Sequence, residues 1–241
     1  MLKKITTIFD YLLFFGIKEI RSCIFAGYFF LLLAFSSIFT FGIPRYDFLF
    51  LGSVLIQILL VTFKVENLRE VTTIFFFLIL GFILELFKTS IGLWSYPEEA
   101  FFKLATVPLF SGFMYSAVAS YIIQATRLLN LKFINYPNKV WTLLLGVMIY
   151  INFFTNYFII DIRFFVLIPL IIIIFAKSMV SFDIFTEDFL KSKTFKIVDK
   201  LPFNLKNRYL DRLDDKPLQM PLLLSFVLIS FFIWIAENLA T

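Results

Sequence analysis

The chain has 241 residues, 61% hydrophobic and 16% charged, against roughly 45–50% apolar and about 25% charged in soluble domains, which excludes an ordinary soluble globular protein and points to a polytopic membrane protein. It has no histidine and a single cysteine, Cys23, which excludes an intrachain disulfide, a cysteine zinc cluster, His-ligated haem and His-based triads. The formal net charge of +5 takes its meaning from where the cations fall along the chain.

Leu2, Ile5, Phe9, Leu12 and Phe15 or Gly16 recur at helical spacing, with lysines at both ends. This predicts an interfacial amphipathic helix over 1–22 and no cleavable leader. Seven apolar runs follow, near 23–43, 46–63, 71–87, 107–126, 140–158, 164–182 and 219–240. A hydrocarbon core takes about 20 helical residues to cross. The runs are continuous rather than alternating, which argues against a β-barrel, so the expected fold class is all-α: a polytopic transmembrane helix bundle of about seven spans. Residues 23–182 would hold six spans, 183–218 a charged, solvated and partly helical cytoplasmic loop, and 219–241 the seventh span. The 36 phenylalanines read mostly as lipid-facing filler. In the fourth run Gly112, Ser116, Ser120 and Gln124 fall four apart, a small and polar stripe that lets helices approach closely.

Orientation follows from the basic residues. Eighteen of the 22 lie on one side: Lys3, Lys4, Lys18 and Arg21, then Lys64 and Arg69, then Arg127, Lys132 and Lys139, then nine from Lys177 to Lys216. Arg45, Lys88, Lys103 and Arg163 lie on the other. The expected topology has a cytoplasmic N-terminus and Thr241 on the outer side of a bacterial inner membrane.

Ionisable groups at membrane depth are costly and mark sites. Glu85 stands four before Thr89 at the end of the third run, and Glu237 four before Thr241 at the end of the seventh. Both are candidate acid/base residues. The outer helix ends and loops also carry Lys88, Trp94, Tyr96, Asn152, Asn156, Asp161, Arg163 and Asn238, candidate substrate-binding groups for a pocket at that level, whereas the inner connections show no such collection. Each has a plainer reading. Glu85 and Lys88 form an i,i+3 pair, Trp94 and Tyr96 suit an aromatic belt, Asp161 suits a helix cap, and Asn152 and Asn156 share one helical face. No phosphate-cradling glycine loop or Asp-rich magnesium motif appears, so no cofactor and no metal are expected. Membrane lipid is the expected partner, nucleic acid is not, and nothing specifies a protein partner.

Four stretches, Leu84 to Glu98, Val107 to Tyr115, Ile149 to Thr155 with Asp161-Ile-Arg163, and Met220-Pro-Leu-Leu-Leu with Trp234 to Asn238, resemble the bacterial membrane family labelled domain of unknown function 817. The resemblance covers most of the chain from about residue 60 and brings no activity with it. Family members have His after the Asn-Phe-Phe-Thr stretch, where this chain has Asn156 and Tyr157. They also continue past Ala-Glu-Asn into a second aromatic-Pro loop and another span. If the third and seventh runs are parallel repeats, an eighth span is expected, missing here.

The pattern of acidic helix end, Gly-x-Trp, aromatic and Val-Pro helix start is also similar to heterodimeric-type lycopene cyclases and carotenoid hydratases. That similarity implies a carboxylic acid protonating a polyene, with aromatic faces steadying the carbocation. A cation- or proton-coupled transporter built on Glu85 and Glu237 is the competing expectation.

Overall fold

The computed structural model describes the backbone of residues 2–200 and 204–240, with side chains over 7–200, 204–235 and at Asn238. In chain order the elements are α1 (Leu2–Ser22), α2 (Ile24–Ser36), α3 (Arg45–Thr62), α4 (Leu68–Ser90), β1 (Lys103–Leu104), β2 (Val107–Pro108), α5 (Phe110–Leu128), β3 (Lys132–Ile134) and α6 (Lys139–Thr155). A π-helical turn (Arg163–Leu167) leads into α7 (Ile168–Phe175), followed by β4 (Met179–Phe182), α8 (Glu187–Leu190), α9 (Lys193–Val198), α10 (Leu205–Leu210), β5 (Leu218–Pro221) and α11 (Leu222–Ala240). The chain is mostly helical, and it forms two units: Met1–Leu129 with Ile184–Leu213, and Asn130–Asp183 with Asp214–Thr241.

In the first unit α5 packs against α1, α2, α3 and α4. Its tightest neighbour is α4, and glycine is the reason. A β-carbon on Gly112 would lie 2.9 Å from the Leu78 carbonyl oxygen, and one on Gly81 would lie 2.1 Å from the Tyr115 ring. The backbones approach because these side chains are missing. The stripe below Gly112 faces the same way: Ser116 donates to the Ile74 carbonyl at 3.4 Å and Gln124 to that of Val65 at 3.0 Å. Asn67 and Glu70 close a capping box at the start of α4, satisfying the first-turn donors of that helix.

The second unit pairs β3, β4 and β5 antiparallel in that order, with Leu145, Leu167, Phe175, Val180 and Leu222 forming its core. The all-α expectation is therefore corrected by this sheet and by the β1–β2 hairpin. Met179–Phe182, read as the end of the sixth span, is strand β4. The first run is also shorter than expected, since α2 has 13 residues, about 20 Å at 1.5 Å per residue. Among the described residues two helices, α3 and α4, are each long and apolar enough to cross a membrane, and α1 with α2 passes the same test only as a pair bent by 62°.

The charged segment is no simple solvated loop. Phe185, Phe189, Phe195, Leu205 and Tyr209 are all buried; the Phe185 and Tyr209 rings meet Phe14 of α1 edge-on, and the Phe195 ring stacks on it. The Tyr209 hydroxyl accepts from the Thr186 amide at 2.7 Å and lies 3.1 Å from the Thr186 carbonyl. Phenylalanine is thus not only lipid-facing filler: many rings are exposed, but Phe25, Phe29, Phe110 and Phe113 build the core around α5.

Candidate functional site

Glu85 lies near the C-terminal end of α4 and is 2% exposed. What covers it is set by how the helix stops. Gly92 takes φ +74, its amide donating to the Thr89 carbonyl at 3.2 Å and that of Leu93 to the Lys88 carbonyl at 3.1 Å. This Schellman turn suits glycine because positive φ costs it little, and it folds the chain back over the last turn of α4. The Trp94 indole Nε1 then donates to Glu85 Oε2 at 3.0 Å, and the Tyr96 hydroxyl to the same oxygen at 2.8 Å. From α5 the Tyr115 hydroxyl donates to Oε1 at 2.8 Å. The Lys88 ammonium sits over the Trp94 ring, 4.0 Å from its centroid, a cation–π contact.

The loop that brings these groups in is itself strapped down. Asp47 of α3 is buried and accepts from the amides of Phe101 and Phe102, each at 2.8 Å. Arg45 pairs with Glu98 at 3.1 Å, and Lys103 donates to the carbonyls of Tyr96 at 2.7 Å and Glu98 at 3.1 Å. Tyr96 meets Tyr46 and Phe110 edge-on. Burial first, then the charge of Glu85 and the hydrogen bond to it, push the Tyr96 phenol far above the ordinary tyrosine range, so it stays protonated through neutral and alkaline conditions.

In the second unit Asn152, Asp161 and Arg163 come together. The buried Asn152 amide donates to Asp161 Oδ1 at 3.2 Å, and its carbonyl accepts from the Ile162 amide at 3.0 Å. Asp161, one residue before the Ile162 N-cap of the π-helical turn, accepts from the Arg163 amide at 2.9 Å and from the Arg163 Nε at 2.7 Å. The hydrogen bonds from Arg163 hold the Asp161 carboxyl well below the usual carboxylate range. Asn156 Oδ1 is buried without a hydrogen-bond partner among the described residues. Asn238 donates to the Trp234 carbonyl at 2.7 Å. The side chain of Glu237 lies outside the described residues. Among the described residues no group of three His, Cys, Asp or Glu is placed to hold a metal ion.

The sequence pattern of the family named "Protein of unknown function (DUF817)" matches residues 11–199 and 200–241. The chain belongs to this DUF817 family. A relative, the protein named "Uncharacterized protein YoaT" of Bacillus subtilis (strain 168), is 39% identical over 228 residues, covering 94% of this chain and 75% of its own. No solved structure matches.

Four of the expected residues in this DUF817 chain, Glu85, Lys88, Trp94 and Tyr96, thus share one centre in the first unit. Sequence reasoning missed its third donor, Tyr115, although Tyr115 closes the Val107 to Tyr115 stretch that carries the family resemblance. It also missed the straps Arg45, Asp47 and Lys103. A further centre at the other end of the α4–α5 pair corrects the expectation that the inner connections hold no polar collection. Glu66 is 2% exposed, accepts from Ser120 and from Gln57 Nε2 at 2.6 Å, and lies beside Arg127, which donates to the Val65 carbonyl and pairs with Glu70 at 2.8 Å.

Proposed function

We propose that this DUF817 member is a seven-span integral protein of the bacterial inner membrane, N-terminus cytoplasmic, whose working group is Glu85 at the outer end of α4. The first reading of its chemistry is acid–base catalysis on an isoprenoid or related membrane lipid. One observation carries it: Glu85 is buried, and three neutral donors from the loop and α5 reach its oxygens. Indole N–H can only donate, but a phenol both donates and accepts. Tyr96 and Tyr115 can therefore reverse their hydrogen bonds as a proton arrives at or leaves the carboxyl. The Trp94 face already holds one cation, Lys88, and such a face suits a developing carbocation. The similarity to carotenoid cyclases and hydratases points the same way. The cluster of Asn152, Asp161 and Arg163 is read as a second outer polar centre, and the apparent Glu-x-x-x-Thr repeat as a parallel duplication.

A comparative lipid and pigment profile by mass spectrometry tests this reading in a deletion strain carrying either the native gene or Glu85→Gln. The native gene should restore one isoprenoid or lipid species that the variant does not. Restoration by both would end the acid–base reading.

A second reading, proton- or cation-coupled transport, is favoured by Glu66, which gives the α4–α5 pair a buried carboxylate at each end. Under it the lipid profile stays unchanged and proteoliposomes show potential-dependent flux that Glu85→Gln and Glu66→Gln each abolish.

A further inference from the structure

Helix α1 is amphipathic in an unusual sense. Asp10, Phe14, Lys18 and Ser22, four apart, form its buried row, and they grip residues 184–213. Asp10 pairs with Arg208 and lies 3.9 Å from Arg212. Arg212 also donates to Thr7 at 2.6 Å. Lys18 donates to the Leu128 carbonyl at 2.6 Å and to Thr186 at 3.3 Å, and Arg21 donates to Thr194 at 3.2 Å. The opposite face is open and apolar: Ile8, Leu12 (67% exposed) and Ile20 (74% exposed), with Gly16 among them facing open space. A helix on a water-soluble protein turns its apolar stripe inward and its polar face to solvent. Here the charged row is inside and the apolar stripe outside, so the medium beyond α1 is not water. The helix also runs into the apolar α2 through a 62° bend at Cys23, so the open face continues toward a membrane-embedded segment.

We propose that α1 lies in the plane of the cytoplasmic leaflet, with Ile8, Leu12 and Ile20 among the acyl chains, and is the platform that fixes residues 184–213 at the membrane surface. The partner of the open face is lipid. Amphipathic helices of this kind bury their apolar side about 5–10 Å into the boundary between headgroups and chains. The polar side, which in an isolated interfacial helix would meet water, is here occupied by the rings and arginines of the 184–213 cap. The inference is independent of what Glu85 does.

The lone cysteine makes the test direct. In a Cys23→Ser background, nitroxide labels are placed one at a time at Leu12→Cys, at Ile20→Cys and, as a control on the exposed side of the cap, at Lys196→Cys, each in the full-length protein in proteoliposomes. Collision of the labels with oxygen, which concentrates in lipid, is compared with collision with a water-soluble nickel chelate. Positions 12 and 20 should favour oxygen several-fold over position 196. Nickel access at 12 and 20 equal to that at 196 would overturn the proposal by placing the face in water. Protection from both reagents would overturn it by placing a protein there. Ile8→Cys, on the same face, serves if a Leu12 label perturbs the helix.

Discussion

Gly81 and Tyr115 meet where α4 and α5 cross, and the missing β-carbon of one admits the ring of the other. The position a Gly81 β-carbon would take is 2.1 Å from Tyr115 Cγ, and the phenol so admitted donates to Glu85 Oε1 at 2.8 Å. A helix-packing device and the candidate site are thus one arrangement. Gly81→Ala should force the ring out, costing about 1–3 kcal/mol for overpacking, plus the lost hydrogen bond. Thermal unfolding in detergent should show Gly81→Ala destabilised more than Tyr115→Phe, and a Gly81→Ala protein as stable as the native one would contradict the close crossing.

Glu85 holds the loop that follows α4. Removing one donor from a buried carboxyl costs about 1–3 kcal/mol, so Trp94→Phe and Tyr96→Phe should each lower stability by that order. Glu85→Leu should cost more than either, because it orphans three donors at once. Trypsin cleavage after Lys103 reports the loop directly: it should quicken in Glu85→Leu relative to native protein.

The grip between α1 and the cap depends on Asp10. Its side chain is 6% exposed and that of Arg208 30%. Losing one partner of a fully buried pair costs roughly 3–5 kcal/mol; with Arg208 partly in solvent the expected loss for Asp10→Ala falls to roughly 1–2 kcal/mol. The sensitive readout is local: limited proteolysis within 187–213 should accelerate in Asp10→Ala while the α4–α5 pair stays resistant.

Asp161 sets a pH signature. Its carboxyl is held below the ordinary range by hydrogen bonds from Arg163, so the folded state binds its proton less readily than the unfolded chain. Such a group stabilises above its unfolded value, about 3.9, and the contribution is lost as pH falls below that value toward the folded one. Native protein should therefore exceed Asp161→Asn in melting temperature at pH 6, with the gap narrowing below about pH 4. A gap that is constant with pH would show that the carboxylate charge is not what Arg163 recognises.

What the sequence determined by itself is what depends on composition and local spacing. The hydrophobic fraction and run lengths specified a mostly helical chain with membrane-length segments. The four-residue period of Gly112, Ser116, Ser120 and Gln124 marked the packing face of α5, and Glu85 at a helix end with Trp94 and Tyr96 in the next loop marked candidate site groups; the Schellman turn at Gly92 that brings that loop back onto the helix end came from the structure. The family resemblance was equally legible, since it rests on contiguous stretches. Tertiary structure decided what depends on residues far apart in the chain. Tyr115 reaches Glu85 from 30 positions away and Ser120 reaches Glu66 from 54, and neither follows from a period. The 184–213 segment read as solvated because its charges are plentiful, yet its aromatic residues pack on Phe14 of α1, 195 residues before Tyr209. The apolar stripe of α1 was visible in the sequence, but a helical period names two faces without saying which medium each meets. That choice was made by Asp10 and Lys18, whose burial needed Arg208, Thr186 and the Leu128 carbonyl to be brought alongside, and only the folded chain supplies them.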